Sequence, residues 1–248
     1  ANPCAPNCNT PPTRTPTVTA TPTATATSAG NTPTPTQTAT DTATPTPTPT
    51  NAASSLDVRI ASGSDDVEQR VSDGYMSILD STDLELVVDG TTQQLVGLRF
   101  TNLTIPQGAT ITGATLEFQA DETSSGATSL TLKGQAADNA PAFSSTAYDM
   151  SSRPVTSAAV SWADIPAWNT VGEKHTSPDL SAIVQEVVSR PGWASGNSLV
   201  IVIDGAGSRV AESYDGLPST AVLLHVTYSS GEATQTPTST ATVTATQT

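Results

Sequence analysis

The sequence predicts an all-β fold, a two-sheet jelly-roll-like sandwich, carried between two extended Thr/Pro-rich flanks. Three observations lead there. About ten short segments with period-two apolar spacing fill the region between residues 55 and 229, separated by Gly, Pro, Asn and Asp turns. Only one segment in that region has helical spacing. The residues on either side are almost entirely Thr, Pro, Ala and Ser, and contain too little apolar surface to offset chain entropy in a core of their own. The expected division is therefore an arm over 1–54, a sandwich over 55–229 and a Thr-rich linker over 230–248. About 175 residues suffice for one domain with a full core.

The strands are read in order. Leu56–Ile60 and Val67–Val71 alternate, with turn residues Ser62–Asp66 between them. Leu84–Val88 runs into Asp89-Gly90, a hairpin signal, and then into Leu95–Thr101. Ile111–Ala120 places Ala114, Leu116 and Phe118 on one face, and Ser129–Ala136 does the same with Leu130 and Leu132. Val155–Trp162 is a further strand. Ser198–Ile203 and Ala221–Tyr228 are nearly continuous in apolar residues, which predicts strands covered on both faces.

The helix is expected over 178–190. Leu180, Ile183, Val184, Val187 and Val188 form one stripe. Ser177 is placed to cap it, Pro178 and Asp179 suit its first turn, and Arg190 with Pro191-Gly192 marks its stop.

Composition narrows the function. Of 23 acidic and 9 basic residues, only Asp41, Glu232 and Arg14 lie in the flanks, so nearly all of the net charge of −14 belongs to the domain. That balance argues against nucleic acid and anionic membrane as partners, both of which require a Lys/Arg surface. No apolar run approaches the ~20 residues of a membrane span, so no membrane insertion is expected. Ala1 suits the first residue left by cleavage of a signal peptide, and the expectation is an extracellular or cell-surface protein.

Twelve of the 19 prolines lie in the flanks. They favour polyproline II, in which a 50-residue arm reaches about 150 Å. Thr-Pro tracts in exported proteins are typical O-glycosylation substrates, which makes Thr15, Thr21, Thr32, Thr34, Thr44, Thr46 and Thr48 candidate acceptors. Asn102-Leu103-Thr104 is a lone N-glycosylation sequon. Cys4 and Cys8, the only cysteines, can close a small disulfide loop or link two chains.

Chemistry within the domain is sparse. It has no cysteine, and its sequence contains no nucleophile elbow, phosphate loop or zinc-binding helix motif. His225 lies within a strand, where a structural role is expected, and His175 lies in a polar loop. The chain is therefore expected not to be an enzyme and to need no cofactor apart from structural calcium. Asp80, Asp83 and Glu85 form one group of oxygen donors for calcium, and Asp65 and Asp66 with Glu68 form another; solvated acidic loops are the plainer reading. Among Trp162, Trp168 and Trp193, Trp168 in a Pro-containing loop is the one expected to be exposed for stacking on a sugar ring, while Trp193 is expected to pack on the helix stop.

The runs Pro178–Glu186, Ser198–Ile201, Ala211–Tyr214 and Ala221–Tyr228, with Leu98-Arg99-Phe100 before Ile111–Leu116, resemble DNRLRE-type β-sandwich modules. These are related to polysaccharide-binding modules of secreted bacterial proteins. The resemblance spans Leu56–Tyr228 and implies a jelly roll and an extracellular setting. Two functions follow as expectations. The first is a structural subunit of an extracellular filament or surface assembly, its arm packed on other copies of itself. The alternative is a non-catalytic polysaccharide-binding module on glycosylated linkers.

Overall fold

The computed structural model describes residues 53–78 and 81–230. The arm with its cysteines and Thr-Pro sites, the C-terminal linker beyond residue 230, and Asp80 lie outside them.

The domain is an antiparallel all-β sandwich, as its alternating segments predict. One sheet has the order β1 (Ala53–Arg59), β13 (Leu223–Ser229), β7 (Thr110–Gln119), β10 (Lys174–Thr176). The larger sheet runs β3 (Met76–Ser77), β2 (Asp66–Arg70), β6 (Thr92–Leu103), β11 (Asn197–Ala206), β8 (Ser129–Gln135), β9 (Val155–Trp162), with β5 (Val88–Asp89) also on β6. A separate pair joins β4 (Asp83–Glu85) to β12 (Val210–Glu212). Inward residues of both sheets, among them Leu116, Phe118, Leu224, Leu98, Phe100 and Ile201, form one buried core.

β11 is covered on both faces, as its apolar run predicts. Leu199, Ile201 and Ile203 enter the main core, while Val200 enters a second cluster with Val67, Met76, Phe143 and Met150. β13 departs from the expectation. Leu224, Val226 and Tyr228 are buried, but Leu223, His225 and Thr227 between them are only partly so, because among the described residues nothing stacks over that side as the 140–150 segment does over β11. His225 is bonded there to Asp57 of the neighbouring strand.

The helix α1 spans Ser181–Val188, shorter than predicted. Its start is delayed because residues 177–180 run along β7: Ser177 N–H donates to Leu116 O and Leu180 N–H to Ala114 O. The Ser177 hydroxyl accepts from Leu116 N–H instead of capping the helix. Asp179 accepts from both Ala114 and Ser181 N–H. Arg190 pairs with Asp138, beyond the last turn. The apolar stripe is buried as read, and Gly134 lets the helix approach β8, since a Cβ there would lie 2.8 Å from Ile183 Cγ2. Gln185 bonds Ala109 O and Ile111 N–H, and Glu186 accepts from Ser157 and Ala158 N–H. The helix therefore ties β7 of one sheet to β9 of the other.

Leu84–Val88, read as one strand, is two. Glu85 faces Val210 of β12, whereas Val88 faces Gln93 of β6, and the fully buried Leu86 and Val87 carry the chain between them. The Asp89-Gly90 hairpin is present, with Gly90 at φ 56°.

Candidate functional site

Strand register defines two poles. Ala53 pairs with Ser229, and Ser229 with Thr110, at one of them. Arg59 pairs with Leu223, and Leu223 with Glu117, towards the other. Beyond Glu117, β7 continues to Ala120, which bridges Ala211, and Ala211 faces Leu84. This second pole is acidic.

Two of the predicted calcium donors are engaged elsewhere. Asp65 is buried and paired with Arg99 at 2.7 Å; the same guanidinium donates to Ala140 O and Ser198 Oγ. Asp66 accepts from Tyr214 N–H at 2.7 Å. Burial pushes its carboxyl up to about 7, helped by the charges of Asp215 and Asp65 and opposed by that hydrogen bond. Glu68 lies inside the sheet, where one carboxylate oxygen accepts from Glu85 N–H (2.8 Å) and Gln94 Nε2 (2.7 Å). Burial, then the hydrogen bond and charge of Glu85, push Glu68 up to about 9, so Glu68 retains its proton at neutral pH. The sequence grouping of Asp83 with Glu85 therefore separates in space: Glu85 turns to Glu68 and Gln94.

Asp83 remains at the pole, and its new neighbours come from distant segments. Asp83, Asp121 and Glu122 offer carboxylate oxygens that all lie within 4.8 Å of one another. Burial and the charges of Glu85, Asp121 and Glu122 push Asp83 up to about 6. Glu212 faces Asp83 across the β4–β12 pair, and burial followed by the charges of Asp121 and Asp83 raises its carboxyl too. Sequence reasoning missed Asp121, Glu122 and Glu212. The Asp121-Glu122 doublet at a strand end was a visible signal; Glu212, on a short apolar strand, gave none.

Trp168 is not an exposed platform. It is 1% exposed, its ring stacked on His175 at 4.4 Å and nearly parallel. Its backbone pairs with Ser124, which draws the loop inward. Ser124 Oγ, Trp168 Nε1 and His175 Nε2 are all buried there without a hydrogen-bond partner. His175 itself is on the edge strand β10, and burial lowers its pKa. Trp193 is buried as expected, donating to Ile105 O.

Tyr148, an exposed aromatic beside a concavity, is 46% exposed and held at φ 64°. Its ring covers Gly74, whose Cβ would lie 2.5 Å away. It borders a cleft of about 400 Å³ lined also by Gln69, Val71, Gln93, Ser151 and Asp204. Asn102 of the sequon is exposed near the end of β6. Among the described residues no helix is long and apolar enough to cross a membrane. No protein-family model matches the chain, and no curated protein matches it.

Proposed function

We propose that the chain is a non-catalytic, secreted subunit of an extracellular filament or surface assembly, in which the Thr/Pro arm packs on neighbouring copies and the sandwich is displayed at the side. The observation that carries this reading is the pairing of Ala53 with Ser229 on adjacent antiparallel strands. Both flanks therefore join the domain at one pole. Tension applied through the two flanks would peel β1 from β13 one hydrogen bond at a time, the weak direction for such a pair. A domain built this way is suited to hanging from the assembly with its other pole outward, and poorly suited to serving as a link in series. The Thr-Pro composition of the flanks and the resemblance to secreted sandwich modules support the extracellular setting.

Sedimentation velocity of the full chain across a concentration series, with limited proteolysis of residues 1–52 at each concentration, tests the reading. Assemblies in which the arm becomes protected are expected. A chain that stays monomeric at high micromolar concentration with its arm freely cleaved refutes it.

Polysaccharide binding is the second reading, and the Tyr148 cleft favours it over the buried Trp168. An exposed phenol beside Gln69, Gln93 and Asp204 combines an apolar ring face with amide and carboxylate groups for sugar hydroxyls. Pull-down on insoluble polysaccharides, lost on Tyr148→Ala and kept on Trp162→Phe, supports this reading; no retention on any of them removes it.

A further inference from the structure

A sheet edge presents unpaired N–H and C=O groups to any strand that can reach it, and folded domains normally blunt it. Of the four outer strands of the two main sheets, three are blunted. β3 has two residues and β10 three, and Glu186 covers the Ser157 and Ala158 N–H groups of β9. β1 is the exception, seven residues without proline or glycine, paired only with β13. Ile60 N–H donates to Val222 O, one step beyond the Arg59–Leu223 pair. Bonded and unbonded pairs alternate along an antiparallel ladder. Ser54, Leu56 and Val58 therefore bond β13, and the backbone groups of Ala53, Ser55, Asp57 and Arg59 point away from it. Among the described residues no strand and no backbone hydrogen bond reaches those outward groups. Leu56 and Val58 add a second observation: both pack on the main core, yet both are only partly buried at this rim.

The flanks contain a segment suited to this edge. Residues 238–248 have no proline, glycine or charge, and Thr recurs at every second position from Thr238 to Thr248. Strand periodicity puts those β-branched side chains on one face and Ala241, Val243 and Ala245 on the other. We propose that residues 238–248 of one copy add as a strand to the β1 edge of a second copy, with Ala241, Val243 and Ala245 laid beside Leu56 and Val58. Main-chain bonds to the outward groups of β1 supply the affinity, and the alternate side chains set the register. The occupant comes from a second copy because antiparallel pairing, the stronger arrangement, is awkward within one chain. Residues 230–237 would first have to run back along β1, about 20 Å, and across two strands, about 10 Å, and make two reversals, all within a fully extended reach of about 28 Å. A neighbouring copy has no such restriction. The inference rests on the assembly reading and names a joint for it.

The test uses the full chain as wild type, Ser55→Pro and Val243→Pro. Proline at 55 removes an outward donor and keeps the bonds to β13. Val243→Pro changes no residue of the sandwich, and decides the matter if Ser55→Pro does not fold. In sedimentation velocity the wild type is expected to self-associate, and each variant alone to do so at least about tenfold more weakly. An equimolar mixture of the two variants, which supplies one intact edge and one intact segment, is expected to recover a 1:1 complex. Amide hydrogen exchange at Ser55, Asp57 and Arg59 should slow as wild-type concentration rises, while Leu56 and Val58, already bonded to β13, stay unchanged. Wild-type association in both variants, a mixture that recovers nothing, or exchange independent of concentration overturns the inference. Association that survives in both variants but is lost on removing residues 1–52 overturns it and leaves the packing of the arm standing. A wild type that stays monomeric overturns both.

Discussion

Replacing Glu68 by Gln should make the domain more stable at neutral pH and leave it nearly unchanged in acid. Both hydrogen bonds to Glu68 converge on a single oxygen, from Glu85 N–H and Gln94 Nε2. A Gln carbonyl can take that position, and its NH₂ then stands where Glu68 retains its proton. The sign follows from proton binding. The carboxyl is held up to about 9 in the folded chain against an ordinary 4.5. Between those values the folded state binds the extra proton, so wild-type stability is fully present below about 4.5 and falls as pH rises towards 9. At about 1.36 kcal/mol per pH unit, the roughly two and a half units from 4.5 to 7 amount to about 3 kcal/mol. Gln titrates in neither state and removes that loss. Urea unfolding of both proteins at pH 4 and pH 7 reads the quantity directly. The variant should gain about 3 kcal/mol on wild type between the two values, while the similar decline caused by Asp66, held near 7, persists in both. An equal difference at the two pH values, or a variant weaker than wild type at pH 7, would show that Glu68 does not retain its proton in the folded chain.

Two further perturbations address how loops and edges are held. The Arg209 guanidinium is 1% exposed and donates to the carbonyls of Gly126, Ile165, Pro166 and Ser208 and to Thr128 Oγ1, with no carboxylate among its partners. Arg209→Met leaves those acceptors buried and unpaired, and should cost about 3–5 kcal/mol in urea unfolding. Glu186 covers two edge N–H groups of β9; Glu186→Ala should cost about 1–2 kcal/mol and raise thioflavin-T-positive aggregation, since an uncovered strand edge is a template for pairing.

Signals confined to neighbouring residues were legible, and those made by distant ones were not. The stripe from Leu180 to Val188 and the alternation in Ile111–Ala120 are local periodicities, and both elements formed. The helix boundary failed because Ser177 found a better partner in Leu116, 61 residues away, than in its own first turn. Trp168 followed the same logic. A loop containing proline looks exposed until pairing with Ser124 and stacking on His175 bury it. Of the predicted calcium donors, Asp65 was captured by Arg99, whose position opposite it no local pattern encodes. Asp83, grouped in the sequence with Asp80 and Glu85, lies instead beside Asp121 and Glu122, which follow β7 far along the chain.

The acidity of the domain thus divides into two physically different populations. One is balanced by partners within the domain: Asp65 by a guanidinium, Asp179 and Glu186 at the surface by backbone N–H groups, Glu68 by a retained proton. Removing the partner of buried Asp65 strands a charge in a low-dielectric setting, and the Asp179 and Glu186 bonds hold the helix against β7 and β9. The other gathers at one pole without counter-charge, and its position is set by the same register that brings both flanks to the opposite pole. Unbalanced charge at that end costs folding free energy and contributes nothing to the core. The register that builds the core therefore also decides where the domain carries its least balanced charge.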